Sequence, residues 1–588
     1  MRWRMLAHMI PCLISIAPTA LAPELAAETT AHFGLGAVDM VVAGFYLVGI
    51  VAIGLYAALR HKRCQGEASD YFLAGKSLGW GTIGLALFAT NISTLHLVSL
   101  AQGGFDSGLL LGNFEWMAAL TLVMLGLFFA PFYIRSGITT LPDFLEKRYN
   151  RTCRDWLTGV SVMTAVLIHI AFALLAGGII LETLLGIPMM WSIAVLCALT
   201  GLYTIVGGLL AVVITESIQT VVLLCGALLI SAFALWQLGG SAETPGGWDG
   251  WSHLKDILDR EGTTSKLSML RPHGDADGMP WYSIFLGYPV LGIWYWCADQ
   301  TIVQRVLGAK DEHHARQGPI FAGLIKILPV FLFVMPGLFA YALFQDGRLD
   351  LSGLPNADGV IDSKGIYGAM ITELLPVGVR GVLVAALMAA LMSTVSGALN
   401  SISTLISYDL VKRFRPQMSD HLLVRTGRVA AAVALVVAVA LVPVLNRFHS
   451  VFEGMADIIA HIAPPITCVF LLGVFWRGAS ARAAALTLIS GSLLGAAIFA
   501  LNKFQPENPL NHIPGGFMMM TFWLLLVCIT IQVIASFLLP DSGETRSDLV
   551  WEKPWTPLLL PGRSRLGDPR LLSALLLLIM TVLYILFR

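Results

Sequence analysis

The sequence RGVLVAALMAALMSTVSGALNSISTLISYDL, residues 380–410, contains no charged side chain between Arg380 and Asp409. An α-helix that crosses the hydrocarbon core of a bilayer needs about 20 mainly apolar residues, because lipid offers no hydrogen-bond partners to an open backbone. This run is long enough and apolar enough to form such a helix. It predicts that this part of the chain lies in a membrane.

Runs of the same kind recur along the whole 588-residue chain, which is 56% hydrophobic and only 13% charged. Such a composition lies far outside that of soluble globular domains. We therefore expect an all-α, polytopic membrane protein with about fourteen transmembrane helices. The runs cover residues 38–58, 79–103, 111–133, 156–185, 188–208, 211–237, 282–305, 318–345, 375–410, 424–446, 452–475, 482–501, 517–539 and 572–587.

The charge balance and the cysteine pattern argue against several other classes of protein. Lys plus Arg and Asp plus Glu number 37 each, so the chain has no basic field that would favour nucleic acid. Its eight cysteines are scattered, without a C-x-x-C motif or a clustered histidine. This pattern indicates neither a disulfide framework nor a zinc site.

The amino terminus has the layout of a secretory signal peptide. Arg2 and Arg4 precede a short apolar stretch, and small residues follow at Ala20 and Ala22. We expect residues 1–27 to be a signal peptide, and an uncleaved anchor is the alternative.

Lys and Arg collect after the odd-numbered spans, as expected for cytoplasmic loops. Both mature termini should therefore be extracytoplasmic, and two longer polar segments, 238–281 and 346–366, should face outside. For segment 238–281 two interpretations stay open, a cap over an outer vestibule or a solvated loop. The basic clusters lie at 60–63, 135–154, 305–316, 412–428, 477–482 and 546–570.

Polar residues inside the spans should mark a pathway or a binding site, because ionisable groups are costly in lipid. None of them forms an H-E-x-x-H, paired-carboxylate or G-x-S-x-G arrangement, so we do not expect an enzyme. The candidates are Asn91, His96, Glu115, Glu216, Asp299, Lys326 and Asp457.

Residues 389–404 carry seven hydroxyl or amide side chains among sixteen positions, and Ser393 and Thr394 are adjacent. On a helix both hydroxyls can flank one cavity wall. Together with unpaired carbonyls they would form an uncharged oxygen shell suited to a weakly held monovalent cation. The alternative is that small hydroxyl residues let the helices pack closely.

The stretch GYPVLGIWYWCADQ, residues 287–300, places Tyr295 between Trp294 and Trp296 in a span interrupted by glycine. Aromatic faces with a polar tip suit the apolar C–H face and hydroxyl rim of a sugar ring. An aromatic belt at the membrane interface is the alternative.

Six stretches together identify a family. They are SDYFLAGKSLGW (69–80), LFATNIS (87–93), FEWMAA (114–119), LPDFLEKRYN (141–150), WYWCADQTIVQRVLGAK (294–310) and the run at 380–410. The chain resembles the sodium/solute symporter family over roughly residues 38–500, and is closest to its sodium/glucose cotransporter branch.

The resemblance implies a ten-helix core of two inverted five-helix repeats whose first helices are broken at the midplane. The repeats would span residues 79–237 and 282–475. They would be flanked by a peripheral first helix at 38–58, the extracytoplasmic loop at 238–281, and peripheral carboxyl-terminal helices at 482–588. Asn91 to Ser93 include neither Gly nor Pro, so the first break is implied by the resemblance alone.

The resemblance also implies the binding residues. Sodium would be the coupling ion, with no other cofactor or metal, and Tyr295 would stack on the solute as an inner gate. The implied sodium ligands are the carbonyls of Ala89, Ile92 and Ala390 and the hydroxyls of Ser393 and Thr394. The implied solute contacts are Asn91, His96, Glu115, Tyr295, Trp296 and Lys326. A possible second sodium site would use Glu216 and Ser396.

The chain departs from the family pattern at four positions. Ala456 replaces a glutamine, with neighbouring Asp457 as a conceivable substitute, and Gly292 replaces a hydrogen-bonding side chain. An unpaired buried hydroxyl costs about 1–3 kcal/mol, enough to change which sugar is preferred. At the second sodium site, Glu216 is longer than the usual aspartate and Gly397 stands at a hydroxyl position, so we favour a single sodium.

We interpret the chain as a sodium-driven symporter that imports a sugar or polyol, such as glucose or galactose, by alternating access. Its location would be a plasma membrane, specifically a bacterial inner membrane. The expected partners are the solute, sodium and membrane lipid but not nucleic acid, and the sequence indicates no oligomeric state. Two alternatives stay open: a sodium symporter for an organic anion or vitamin, and a sugar-gated sensor or conductance.

Overall fold

The architecture comes from a computed structural model, which describes residues 34–62, 68–240, 245–275, 278–352, 354, 356–357, 360–361, 363–446, 451–505, 507–541, 549–559 and 567–588. The expected signal peptide, residues 1–27, lies outside these residues. Within them the chain is almost entirely helical, as predicted. A two-residue ladder pairs β1 (Asn356–Ala357) antiparallel with β2 (Val360–Ile361).

The α-helices, numbered in chain order, are α1 Ala37–Lys62, α2 Ala68–Leu73, α3 Trp80–Asn91, α4 Thr94–Ser107, α5 Asn113–Met124, α6 Ala130–Arg135, α7 Leu141–Arg148, α8 Arg151–Thr164, α9 Phe172–Leu185, α10 Met189–Leu238, α11 Gly250–Arg260, α12 Trp281–Ile293, α13 Gln300–Leu307, α14 Glu312–Ile325, α15 Met335–Gln345, α16 Ile366–Leu374, α17 Val379–Leu405, α18 Lys412–Phe414, α19 Asp420–Leu445, α20 Val451–Phe475, α21 Ala481–Phe504, α22 Gly516–Leu538, α23 Thr556–Leu559 and α24 Pro569–Leu586.

Shorter helical turns join several of these helices. Turns of π type occupy Leu125–Phe129, Ala165–Ala171, Trp294–Ala298, Val330–Val334 and Ile406–Val411. Turns of 3₁₀ type occupy Ala74–Lys76, Gly108–Gly112, Thr264–Leu267, Ser363–Gly365 and Pro509–His512.

In the described residues, eleven helices are long and apolar enough to cross a membrane. The difference from fourteen has a structural reason. Helix α10 includes two predicted runs on either side of a kink at Gly208, where φ is +63°. Thr94–Arg135 joins parts of two further runs, and the run at 282–305 is interrupted. The number of membrane crossings therefore stays a prediction.

The predicted start of the ninth span, residue 375, is wrong. Helix α16 ends at Leu374, and α17 begins only at Val379. Gly378 between them has φ +88°, a left-handed conformation that a regular helix does not contain.

The first broken helix consists of α3 and α4, joined by two extended residues. Ile92 has ψ 103° and Ser93 has ψ 171°. The sequence TNIST, residues 90–94, supplies short polar side chains that compete with helical hydrogen bonding. The break therefore forms without Gly or Pro, and it leaves the last carbonyls of α3 in need of other donors.

The second broken helix runs from α12 through the π turn Trp294–Ala298 to α13. Asp299 is extended, with ψ 123°, and its Oδ1 accepts a hydrogen bond from the Thr301 backbone N–H at 2.6 Å. The Tyr133 hydroxyl donates to the Cys297 carbonyl at 2.6 Å. A carboxylate cap and a tyrosine thus hold the backbone groups that the break exposes.

Burial separates central helices from peripheral ones. In the most apolar window of Val379–Phe414, 94% of residues are buried, against 22% in Ala37–Leu59 and in Pro569–Leu586. Helix α17 packs against α10, α1 and α3, so its polar side chains face protein and not lipid. The grouping of helices into two inverted repeats stays a prediction.

Part of the described portion of segment 238–281 is packed against the helices. Leu254 and Leu258 of α11 are fully buried. The Asn113 amide donates to the Met269 carbonyl at 2.6 Å, and the Arg271 guanidinium donates to the carbonyl of Ser107 at 2.7 Å. These contacts favour the interpretation of this segment as a cap on the bundle. They argue against a wholly solvated loop.

Candidate functional site

A cavity is lined by residues of both broken helices. All six residues that the resemblance implies as solute contacts line the cavity: Asn91, His96, Glu115, Tyr295, Trp296 and Lys326. Their roles as solute contacts stay a prediction, but the fold brings them to one place.

Glu115 and Lys326 form an ion pair in the cavity wall. Glu115 lies in the first turn of α5, and Lys326 caps the carboxyl end of α14. The Lys326 ammonium contacts Glu115 Oε2, and the two side chains are 1% and 2% exposed. The ammonium also lies 5.6 Å from the centre of the Trp296 ring. The positive charge of Lys326 is therefore neutralised by a carboxylate of the protein itself.

Asn91 connects the first break to the second. Its Nδ2 donates to the Tyr295 hydroxyl at 3.1 Å. Its Oδ1 is buried without a hydrogen-bond partner. Such an orphaned acceptor beside a cavity is satisfied when a ligand supplies a donor.

His96 presents a donor to the cavity. Its Nδ1 accepts the backbone N–H of Ser93 at 3.2 Å and lies 3.0 Å from the Ser93 hydroxyl oxygen. A backbone N–H can only donate, so Nδ1 is unprotonated and the neutral ring carries its hydrogen on Nε2. The Nε2–H group is then available to an oxygen of a solute.

Four of the five implied sodium ligands meet where α17 passes the end of α3. The Ser393 hydroxyl lies 2.8 Å from the Ala89 carbonyl oxygen and 3.0 Å from that of Ala390. The Thr394 hydroxyl lies 3.1 Å from the Ala390 oxygen. Ile92 lies at the break itself, directly after α3. The cluster consists of uncharged oxygens, and its role in binding sodium stays a prediction.

Glu216, proposed for the second sodium site, forms a buried ion pair. Its Oε1 lies 2.6 Å from Arg305 Nη2 and accepts from the Thr90 hydroxyl at 3.0 Å. A side chain at Gly397 would overlap the Arg305 guanidinium. The Ser396 hydroxyl donates to the carbonyl three residues earlier in α17, at 3.0 Å. A guanidinium thus already neutralises the carboxylate that a second sodium would need.

The departures from the family pattern have local explanations. Ala456 lines the cavity, whereas Asp457 does not, and Asp457 Oδ1 lies 3.4 Å from His461 Nδ1 on the same helix. The suggested substitution of the missing glutamine by Asp457 is therefore not supported. At Gly292, a Cβ would come within 2.7 Å of Thr121 and 2.8 Å of Tyr288, so these side chains take the space of a larger residue.

The sequence reasoning missed one ionisable residue of the cavity, His169. It lies in the π turn Ala165–Ala171, lines the cavity, and its Nε2 lies 2.9 Å from Asp299 Oδ2. A histidine in the apolar run AVLIHIAFALL, residues 165–175, is itself the signal. The rule that selected the other intramembrane polar residues would have found it.

Metal and thiol chemistry find little support in the described residues. No group of three or more His, Cys, Asp or Glu side chains there could hold a metal ion. The six cysteines among them are free: Cys153, Cys197, Cys225, Cys297, Cys468 and Cys528.

With the geometry established, comparison with known proteins identifies the family. The family model described as "Sodium:solute symporter family" matches residues 71–491. The chain belongs to the sodium:solute symporter family. As a member, it is a multi-pass membrane protein of a transporter family with sodium as the coupling ion.

Several members of this symporter family are similar to the chain over most of its length. A sodium/glucose cotransporter of Vibrio parahaemolyticus is 34% identical over 480 residues, which cover 80% of this chain and 86% of the relative. Sodium/glucose cotransporter 1 of Ovis aries is 33% identical, with coverages of 85% and 78%. A sodium/mannose cotransporter of Bos taurus is 34% identical, with coverages of 81% and 81%.

The fold is also that of a solved symporter structure. A sodium-coupled sialic acid symporter in a substrate-bound outward-open state matches with a TM-score of 0.72, covering 86% of this chain and 99% of that one. The sequence identity is 21%. At this level the likeness concerns the architecture, and it supports the assignment of the helical bundle to a symporter fold.

Proposed function

We propose that the chain imports a neutral sugar or polyol together with sodium, by alternating access. The ion pair of Lys326 with Glu115 carries this proposal. Among the described residues that line the cavity, Lys326 is the one lysine or arginine, and Glu115 pairs with it. An anionic solute would therefore find no free cation, whereas a neutral solute needs none.

The polar groups of the cavity also match a polyol. Glu115 and the orphaned Asn91 Oδ1 accept hydrogen bonds, and His96 Nε2 donates one. Tyr295 and Trp296 supply aromatic surface for the C–H face of a ring. The similar relatives from Vibrio parahaemolyticus and Bos taurus are named as sodium/glucose and sodium/mannose cotransporters, which supports the same class of solute.

One sodium per cycle is the stoichiometry that we propose. The uncharged oxygens near Ser393 and Thr394 suit one weakly held cation. At the possible second sodium site, the Glu216 carboxylate is already paired with Arg305, and Gly397 has no hydroxyl that could serve as a ligand. Adding a sodium beside this pair would place two cations around one buried carboxylate.

Sodium would bind from outside between the end of α3 and α17, and would favour the conformation in which the solute pocket is complete. A ligand shifts such a balance only through different affinities for the two states. Inward movement of one charge at a potential of 100 mV supplies about 2.3 kcal/mol, before the sodium gradient is counted. The charge distribution of the loops supports extracytoplasmic termini in a bacterial inner membrane.

Uptake by the purified full chain in proteoliposomes tests the proposal. We expect labelled glucose, galactose or another neutral polyol to accumulate under an inward sodium gradient, and carboxylate solutes such as sialic acid not to accumulate. The reversal potential in the same vesicles should correspond to one sodium per solute. Accumulation of anionic solutes alone, or solute-evoked current without accumulation, would contradict the proposal.

A matched pair of variants sharpens the test. Glu115→Gln leaves Lys326 without its counter-charge, so neutral-solute uptake should fall at least about tenfold. Asp457→Asn alters a carboxylate beside the cavity residue Ala456 but outside the lining, and should change uptake little. Equal losses in both variants would count against a solute site at Glu115.

A further inference from the structure

His169 and Asp299 form a buried pair that the proposed transport cycle does not yet use. His169 Nε2 lies 2.9 Å from Asp299 Oδ2, and each side chain is only 4% exposed. A neutral imidazole can donate one hydrogen bond to this carboxylate, and an imidazolium can form a full ion pair with it. The observed geometry therefore accommodates either form of the imidazole.

The position of the pair connects it to both breaks. Asp299 caps α13 through Thr301 N–H, directly after the second break. The His169 ring centre lies 5.8 Å from that of Tyr295, whose hydroxyl accepts from Asn91. Asn91 is the last residue of α3, next to the oxygen cluster of Ser393 and Thr394. A continuous line of contacts thus runs from the pair to the candidate sodium site.

Asp299 differs from the other two buried carboxylates near the cavity in the type of side chain with which it pairs. Two of the three carboxylates face a lysine or an arginine, whereas the third faces an imidazole. A proton added to His169 would therefore add one positive charge beside Asp299. The three pairs are Glu115–Lys326, Glu216–Arg305 and His169–Asp299.

Other ionisable groups face the region of His169 from the cavity and from the helices packed against its turn. His96 interacts with it electrostatically across the cavity, and Lys326 acts on His96 from the far wall, bound to Glu115. Helices α8, α9, α17 and α19 also pack against the π turn of His169. In the described residues, their ionisable side chains lie towards the helix ends: Arg151, Arg154, Asp155, Glu182, Arg380, Asp420, His421, Arg425 and Arg428.

We propose that His169 is a proton-binding site in the transport path and that a proton bound there opposes sodium. The proton comes from the outer solution and adds to Nδ1, because Nε2 already faces Asp299. The inference rests on the sodium coupling of the proposed function but not on sugar as the solute.

The direction of the effect follows from the charge balance. At high pH the imidazole is neutral, the charge of Asp299 is uncompensated, and a sodium ion at the end of α3 is attracted. At low pH the imidazolium cancels that charge. For charges about 10 Å apart at an effective dielectric constant of about 20, sodium should bind about tenfold more tightly at high pH. By reciprocity, sodium should weaken proton binding by the same factor.

Direct competition between protons and sodium would not produce this dependence. The candidate sodium ligands are carbonyl and hydroxyl oxygens, which do not titrate near neutral pH. Glu216 is held by Arg305 and Thr90. A pH-dependent sodium affinity therefore points to a histidine, and His169 is the buried one with a carboxylate partner beside the cavity.

Binding of radiolabelled sodium to the purified full chain, measured between about pH 5.5 and pH 8, tests the inference. The wild-type dissociation constant should fall about tenfold as pH rises. His169→Gln keeps a donor for Asp299 but no charge, and should bind tightly at every pH. His169→Lys carries a fixed charge and should bind weakly at every pH. The sodium affinity of His169→Gln should thus equal that of the wild type at high pH, and the affinity of His169→Lys should equal that of the wild type at low pH.

His461→Gln is the matched control, because His461 is also buried beside an aspartate but does not line the cavity. It should keep the wild-type pH dependence. A wild-type affinity independent of pH, a dependence retained in both His169 variants, or its loss in His461→Gln would each overturn the inference. Failure of hexose uptake at every pH, with the sodium shift intact, would instead contradict only the sugar assignment.

Discussion

The two broken helices solve the same backbone problem with different chemistry. At the end of α3, the exposed Ala89 carbonyl receives a hydroxyl from Ser393 on a neighbouring helix. At the end of α12 and its π turn, the Cys297 carbonyl receives a hydroxyl from Tyr133, and Asp299 caps the helix that follows. The exposed carbonyl at the first break receives a neutral hydroxyl, whereas the second break also has a carboxylate that caps the helix after it.

This difference indicates which break can exchange ligands. A serine or threonine hydroxyl can turn its oxygen towards a cation as readily as it donates to a carbonyl. A carboxylate that caps a helix and pairs with a histidine is held by both partners. We therefore expect sodium to bind and leave at the first break. We expect the backbone of the second break to stay fixed and to sense the ion only through its charge.

The largest expected effect comes from removing both hydroxyls at the first break. Ser393→Ala combined with Thr394→Ala deletes two proposed ligands, each worth about 1–2 kcal/mol. The sodium dissociation constant should rise about a hundredfold, measured by sodium titration of binding or uptake. Ser401→Ala is the control, since that hydroxyl lies about two turns further along α17 and has no hydrogen-bond partner in the described part of the chain; a loss of similar size there would contradict the assignment.

An intermediate effect is expected from Gly397→Ala, beside the first break. The new methyl group would overlap the Arg305 guanidinium and lie 3.2 Å from Glu216 Oε1. Displacing a buried ion pair should lower the free energy of unfolding by about 2 kcal/mol, seen as a lower midpoint of thermal unfolding in detergent. Unchanged stability would mean that the Glu216–Arg305 pair can move. A second sodium site at Glu216 would then again be possible.

The smallest effect is expected from Tyr133→Phe at the second break. It removes the donor to the Cys297 carbonyl and should lower the free energy of unfolding by about 1 kcal/mol. The sodium affinity should stay unchanged, in contrast to Ser393→Ala, which removes the equivalent donor at the first break. An equal fall in sodium affinity in Tyr133→Phe and Ser393→Ala would contradict the proposed difference between the two breaks.

The sequence was sufficient for the membrane fold because the relevant signal is local. Apolar runs such as residues 424–446 become helices wherever they occur, and α19 spans Asp420–Leu445. The breaks were less predictable. Residues 90–94 contain no Gly or Pro. The Ser393 hydroxyl of α17, 304 positions away, donates to the exposed Ala89 carbonyl, and the Thr94 hydroxyl donates to the Leu387 carbonyl of the same helix.

The candidate site was predictable residue by residue only through the family resemblance. Composition alone could not decide whether Ser393 and Thr394 bind an ion or pack closely. Pairing of distant residues was out of reach, because nothing near Glu216 in sequence indicates Arg305, 89 positions away. His169 could have been selected as an intramembrane histidine, but its partner Asp299 lies 130 positions further along the chain.

Two of the π turns carry side chains of the cavity, His169 and Tyr295 with Trp296. Each π turn holds one residue more than an α-helical turn would. Because the wider turn absorbs this residue, deleting it would return the turn to α-helical geometry and move the local side chains while the flanking helix keeps its phase. Single-codon insertions and deletions could therefore remodel the pocket while leaving the number and length of the membrane spans intact, a route by which transporters with one bundle can diverge in solute.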